Sequence, residues 1–136
     1  MIWKRSNKDY LGRLKIGLIF LLLPGFCGCA DNRPVSGAYP REGLASWYHS
    51  RKTSSGESFK SGGLTCAMRL KNFGRCYRVC NKGNGKCVIV RHNDFGPAKR
   101  LYKKGRIVDL TKFAFSQIAH PDEGLVSVTL EEVRCP

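Results

Sequence analysis

The rhythm of apolar and polar positions changes along the chain and marks out its elements. From Gly43 to His49 (GLASWYH) apolar and aromatic residues alternate with small and polar ones, the period of a half-buried strand. Arg51 to Gly63 loses that rhythm and reads as a polar loop rich in Ser and Gly. Arg75–Cys80 and Lys86–His92 are two strand-like runs. Between them, Asn81–Gly85 carries the Asn-Gly signal of a hairpin, a pair that tolerates positive φ. Arg106–Asp109 is a further short strand. Thr111 is placed to cap a short helix over Lys112–Ala119, whose Ala114, Phe115, Ile118 and Ala119 share one face. Gly124 leads into Leu125–Val133, where Val126, Val128 and Leu130 alternate with polar residues. The sum is mainly β: short strands, one short helix and closely spaced turns, the pattern of a small barrel or sandwich.

The N-terminal part follows a different logic. MIWKRSNKDYLGRLK carries Lys4, Arg5, Lys8, Arg13 and Lys15 against Asp9, and an apolar run interrupted by Pro24 follows from Ile16 to Phe26. A bilayer-spanning helix needs about 20 apolar residues, so the run is too short for one. Basic, then apolar, then small is the order of a secretory signal, with an uncleaved anchor as the alternative. The run ends in Phe26-Cys27-Gly28-Cys29. A small residue directly before a cysteine resembles the bacterial lipobox, which makes Cys29 the lipid-attachment candidate. Phe26 stands where lipoboxes usually carry Leu, so a plain secreted protein is the alternative. The expected plan is a lipoprotein-type signal peptide over 1–28, a polar tether over 29–42 and one domain over 43–136.

Charge and cysteine content gain meaning from that plan. The chain has 24 Lys+Arg and 10 Asp+Glu, a formal charge of +14. Loss of residues 1–28, with five basic residues and one acidic, leaves 108 residues at +10. Such a balance asks for an anionic partner: nucleic acid, phospholipid or acidic wall material. Export argues against nucleic acid. It also lets disulfides persist. Of 7 Cys, Cys27 and Cys29 belong to the signal, and five remain: Cys66, Cys76, Cys80, Cys87 and Cys135. An odd number leaves at least one free or joined to another chain.

A set of short motifs now adds up. Gly43-Leu-Ala-Ser-Trp-Tyr48, Thr53-Ser-Ser-Gly-Glu57, Leu64-Thr-Cys-Ala-Met68, Phe73-Gly74, Tyr77-Arg-Val79, Asn81, Val88-Ile-Val90, Asn93-Asp94-Phe95-Gly-Pro97 and Arg106-Ile-Val-Asp-Leu-Thr111 occur in this order. Each alone is weak; together they resemble the rare lipoprotein A group over nearly all of Gly43–Val133. The resemblance implies a six-stranded double-psi β-barrel, related to expansin and barwin domains, in a lipoprotein of the cell envelope on its periplasmic side. Some members are lytic transglycosylases that cut peptidoglycan strands lacking stem peptides. There the muramyl 6-hydroxyl, not water, closes on the anomeric carbon and leaves a 1,6-anhydro end.

That chemistry needs a general acid and a means of stabilising an oxocarbenium-like state. Carried over by motif, Asp94 is the general acid/base and Glu57 its helper. Asp94 ends an apolar strand, where partial desolvation would keep it protonated. Glu57 lies in a flexible loop able to close over glycan. Each has a plainer reading: Asp94 as a turn residue accepting local N–H bonds, Glu57 as a solvated loop carboxylate. Trp47, Tyr48 and Tyr102 are candidates for stacking on sugar rings, with core packing the alternative for Trp47. No cofactor and no metal is implied. The expected partners are glycan strands and, through the lipid, a membrane; the protein is expected to be a monomer.

Two departures matter. The family usually has T-A-A-H where this chain has Thr65-Cys66-Ala67-Met68, and Met68 carries no proton. The family usually has Arg after the Asp, and here stands Phe95. His92, two residues before Asp94, shares its face if the strand alternates regularly, and is a candidate replacement in contacting substrate, with a plain strand histidine as the alternative. These departures set a second class of protein beside the enzyme: an expansin-like module that holds glycan and cuts nothing.

The barwin resemblance also implies a Cys76–Cys135 bridge from an inner strand to the last one. Cys80 and Cys87 flank the hairpin and suit a bridge across it, which leaves Cys66 unpaired. Zinc held by Cys76, Cys80, Cys87 and His92 is the competing arrangement; the spacing lacks C-x₂-C pairs and export disfavours it. The basic run Lys99–Arg106 would suggest nucleic acid in a cytosolic protein; in an exported one it reads as a solvated loop against anionic envelope material. Asp94-Phe95-Gly96 also spells a kinase metal motif, but the chain has no room for a kinase.

Overall fold

The structure, a computed structural model, describes residues 39–136; the signal-like segment, Cys29 and the tether up to residue 38 lie outside the described residues. Six strands form: β1 (Glu42–Tyr48), β2 (Thr65–Met68), β3 (Cys76–Asn81), β4 (Cys87–Phe95), β5 (Arg106–Thr111) and β6 (Leu125–Val133). They pair in the order β1-β5-β2-β4-β3-β6, and β6 returns to β1 to close a barrel. The β1–β5 and β2–β4 seams are parallel and the other four antiparallel, as in the expected double-psi barrel. Closure leaves no free sheet edge. Val79, Val90, Val108, Leu110, Phe115, Ile118 and Val128 fill the interior.

The barrel carries two short helices rather than the one expected: α1 (Lys99–Tyr102) and α2 (Lys112–Ser116). α1 lies in the basic run read as a loop. It is a single turn with no buried residue, so no apolar face marks it in the sequence. α2 begins as expected, with Thr111 Oγ1 accepting from Ala114 N at 3.2 Å. It ends at Ser116, while Ile118 and Ala119 stay buried through the turn that follows. β2 is also new, because four residues are too few to show a period. The hairpin forms at Asn81–Gly85 with positive φ at Gly85 alone; the Asn84 side chain instead donates to Ile118 O and accepts from Lys86 N.

The end of the expected tether belongs to the barrel. Tyr39 donates through its hydroxyl to Ile107 O, Leu130 N donates to Arg41 O at 2.7 Å, and β1 starts at Glu42. Two disulfides form, Cys76–Cys135 and Cys80–Cys87, so three of the sulfurs of the zinc arrangement are engaged elsewhere. Cys66 is free and fully buried, and burial pushes its thiol pKa up, which makes it a poor nucleophile.

Candidate functional site

The site grows from an irregularity in the β2–β4 seam. Cys66 pairs with His92 but Ala67 pairs with Asp94, so Asn93 is an extra residue on β4. A bulge of this kind re-aims the side chains beside it. His92 and Asp94 therefore do not share surroundings, contrary to the regular alternation expected. His92 points into the core, its ring centroid 5.0 Å from that of Phe73 and 6.3 Å from that of Tyr77. Asp94 turns to Ser54 and Tyr48.

Asp94 is 7% exposed and its two oxygens are used unequally. Oδ1 accepts from Ser54 N, Ser54 Oγ and Phe95 N, each at 2.8 Å. Oδ2 accepts from Tyr48 Oη alone, at 2.9 Å, which leaves it acceptor capacity for a further group. Burial, and next the bond to the Asp94 carboxyl, hold the Tyr48 phenol pKa well above its ordinary value. Tyr48 therefore stays a hydroxyl donor at neutral pH. Its ring meets Phe59 edge-on, with centroids 5.1 Å apart. The local-turn reading of Asp94 is part of the truth, since Phe95 N is one of its donors; the other three come from 40 or more residues away.

The loop over Asp94 is docked rather than loose. Thr53 N donates to Glu57 O, Gly56 N to Thr53 O and Ser55 N to Asn93 O, while Lys52 bridges to Ser58. Glu57 anchors it. Arg91 Nη1 and Nη2 donate to its two oxygens at 2.8 and 2.7 Å, and Asn93 Nδ2 adds a third bond at 3.1 Å. The Arg91 fork, followed by Asn93, lowers the Glu57 carboxyl pKa to about 2. Glu57 is thus an anion at any physiological pH. Through these bonds it ties the loop that carries Ser54 to β4.

A second carboxylate lies two strands from the first, across Ala67, one that motif reasoning did not assign. Ala67 pairs with Asp94 on one side and with Asp109 of β5 on the other. Asp109 is 6% exposed, and its Oδ1 accepts from Ser46 Oγ at 2.9 Å and Arg106 Nε at 2.6 Å. A Cβ placed on Gly96 would lie 3.9 Å from Asp109 Oδ2, so that oxygen faces the Gly96–Pro97 turn after Asp94. Asp109 was visible only as part of Arg106–Thr111; its alignment with Asp94 across Ala67 needs three strands side by side.

The remaining candidates separate. Met68 and His92 are both fully buried. His92 Nε2 lies 2.9 Å from Asp94 O, and since a carbonyl only accepts, Nε2 carries the proton. Its Nδ1 has no partner, and burial lowers the imidazole pKa, so the ring is neutral at pH 7. The ring is fully buried and its contact on this side is the backbone of Asp94. Trp47 projects from the face of β1 opposite to Tyr48. Its Nε1 donates to Pro121 O at 2.9 Å and its ring leans on the core under Lys112 Nζ, 5.0 Å from the centroid. It is not brought to Asp94. Tyr102 lines a separate cleft of about 640 Å³ with Tyr39, Arg69 and Tyr77. Among the described residues no group of three His, Cys, Asp or Glu side chains is arranged to hold a metal, and no helix is long and apolar enough to cross a membrane.

Comparison with known proteins matches this picture. A family model described as lytic transglycolase covers residues 41–130. The chain is 40% identical over 96 residues to the probable endolytic peptidoglycan transglycosylase RlpA of Synechocystis, over 68% of this chain and 29% of that protein. It is 36% identical over 99 residues to the endolytic peptidoglycan transglycosylase RlpA of Neisseria meningitidis, over 70% and 40%. With the probable RlpA of Aquifex aeolicus the identity is 33% over 132 residues, covering 94% and 54%. The chain therefore spans 29–54% of the length of these relatives. The solved Streptomyces papain inhibitor shares the fold at a TM-score of 0.57 and 19% identity, over 73% of this chain and all of that one. With the matched model spanning β1 to β6 and the motifs in order, the chain belongs to the lytic transglycolase family, among its rare-lipoprotein-A-like barrels.

Proposed function

We propose that this barrel cleaves peptidoglycan glycan strands that lack stem peptides, as an endolytic transglycosylase with Asp94 as its acid and base. The observation that carries the reading is the asymmetric Asp94 carboxyl: three donors fix Oδ1, and Oδ2 has Tyr48 alone. In the reaction, the proton on Oδ2 passes to the glycosidic oxygen after N-acetylmuramic acid, and the C1–O bond breaks. The carboxylate so formed takes the proton of the muramyl 6-hydroxyl as that oxygen closes on C1, and Oδ2 is reprotonated. No water is consumed. Tyr48 rotates from donor to acceptor and back. The Asp109 carboxylate, one strand beyond Ala67, stabilises positive charge at C1. Cys29 carries a lipid that tethers the domain to a membrane in the envelope, consistent with the signal-like N-terminus and the +14 charge.

A second reading has its own support. Met68, where the family resemblance implies a histidine, is fully buried, and so is His92. An expansin-like module that holds glycan without cutting it fits that fact. Mass spectrometry of soluble products from denuded glycan, with wild type and Asp94→Asn, separates the two. Anhydromuramyl ends from wild type alone establish the enzyme. No products, with glycan retained in pull-down, establish the binding module.

A further inference from the structure

Four arginines of the described residues are half-buried: Arg69, Arg78, Arg91 and Arg106. Three are neutralised, Arg78 by Glu131, Arg91 by Glu57 and Arg106 by Asp109. Arg69 alone among them has no carboxylate partner in the described residues. It is nevertheless held in place. Its Nη1 donates to Pro97 O at 2.9 Å and its backbone N donates to Tyr39 Oη at 3.1 Å. Its guanidinium carbon lies 4.9 Å from the Phe95 ring centroid and 5.9 Å from that of Tyr102. A partly desolvated cation, ordered but unpaired, is prepared for an anion that the described residues do not supply.

The position of Arg69 says which anion. It follows Met68 at the end of β2, across from Phe95, the residue after Asp94. Phe95 is 40% exposed. Arg69 lays its guanidinium over that exposed ring, one residue on from Asp94. On its other side Arg69 lines the cleft with Tyr102, Tyr39 and Tyr77, and the Tyr77 hydroxyl is buried without a partner. Aromatic rings, hydroxyls and a guanidinium together suit an anionic saccharide.

We infer that Arg69, on its Phe95–Tyr102 platform, is a subsite for the lactyl carboxylate of muramic acid. This rests on the glycan reading above and deepens it. A strand with its stem peptides attached carries an amide at each lactyl group; a stripped strand carries a free carboxylate there. One fixed arginine, held by Pro97 O and the Phe95 ring just after Asp94, reads that difference, so this chain selects stripped strands by charge.

The test uses the full chain in detergent and two probes: a muramic-acid-containing oligosaccharide with free lactyl carboxylates, and the same oligosaccharide with those groups converted to methylamides. Calorimetry gives the two affinities for wild type, Arg69→Gln and Arg69→Lys. Wild type is expected to favour the free acid by about tenfold or more, the scale of a charge-assisted bond. Arg69→Gln abolishes the preference with unchanged affinity for the methylamide, and Arg69→Lys restores it in part. Equal wild-type binding of both probes overturns the subsite and leaves the glycan reading intact. Binding of neither overturns both. The wild-type comparison needs no variant to fold, and a preference retained by a folded Arg69→Gln also overturns the assignment.

Discussion

The barrel has a regular side and an irregular side. On the regular side β3 joins β4 and β6 in antiparallel ladders, and the β3–β6 register runs unbroken from Cys76↔Val133 to Asn81↔Val128. Both disulfides start from β3, and the Arg75–Glu132 and Arg78–Glu131 pairs cross the same seam. On the irregular side lie the parallel seams, and the register shifts of the barrel fall there, at Leu44/Ala45 and Cys66/Ala67. Asp94, Asp109, Ser46 and Tyr48 all come from those seams. A regular ladder can be stapled without disturbing its side chains; a shifted one turns polar side chains toward each other. The disulfides and the polar cluster around Asp94 thereby fall on different seams of one closed sheet.

That division can be broken experimentally. Asp94→Asn should lower the rate of anhydro-end formation by about 10²–10⁴-fold, the range for loss of a general acid/base. Asn keeps an oxygen for the Ser54 and Phe95 donors, so the urea midpoint should imply a loss of about 1 kcal/mol or less. The regular side should behave in the opposite way. Replacing Cys76 and Cys135 by Ser should cost about 4 kcal/mol, against about 2.5 for Cys80 and Cys87, because the first pair closes the longer loop. Neither change should alter the product. Equal losses, or a change of product, would join the two sides.

Two smaller effects sharpen the contrast within the irregular side. Burial lowers the folded-state pKa of His92 below 6.5, so the unfolded chain binds its proton more readily. Stability from this group is complete above about pH 6.5 and declines as pH falls below it. His92→Gln should flatten that decline in melting scans between pH 7 and 5, and should slow catalysis by loosening the Asp94 backbone. Glu57 runs from 4.5 unfolded to about 2 folded, so its contribution is present above about pH 4.5 and lost as pH falls toward 2. Its side chain is 43% exposed, which screens the pair with Arg91. Glu57→Gln should therefore cost below about 1 kcal/mol by denaturation. Its clearer signature should be faster proteolysis of the loop at residues 51–58, with Asp94 chemistry reduced but present.

Much of this was legible from residue order. Alternation at Val126, Val128 and Leu130 placed the last strand, Asn84-Gly85 placed the hairpin, and Thr111 placed a helix cap, because each signal is local. Motif order brought out the family and pointed to Asp94, and the Asn93–Pro97 motif fell at the end of a strand as expected. What only the tertiary structure decided were the relations across seams. The bulge at Asn93 lies in the parallel β2–β4 seam, with His92 turned inward before it and Asp94 turned toward Tyr48 after it. Asp109 reaches the site through Ala67, and Arg69 covers Phe95 across the β2–β4 pairing. Such placements come from closing the barrel, which matches strands far apart in the chain and whose register no local pattern encodes.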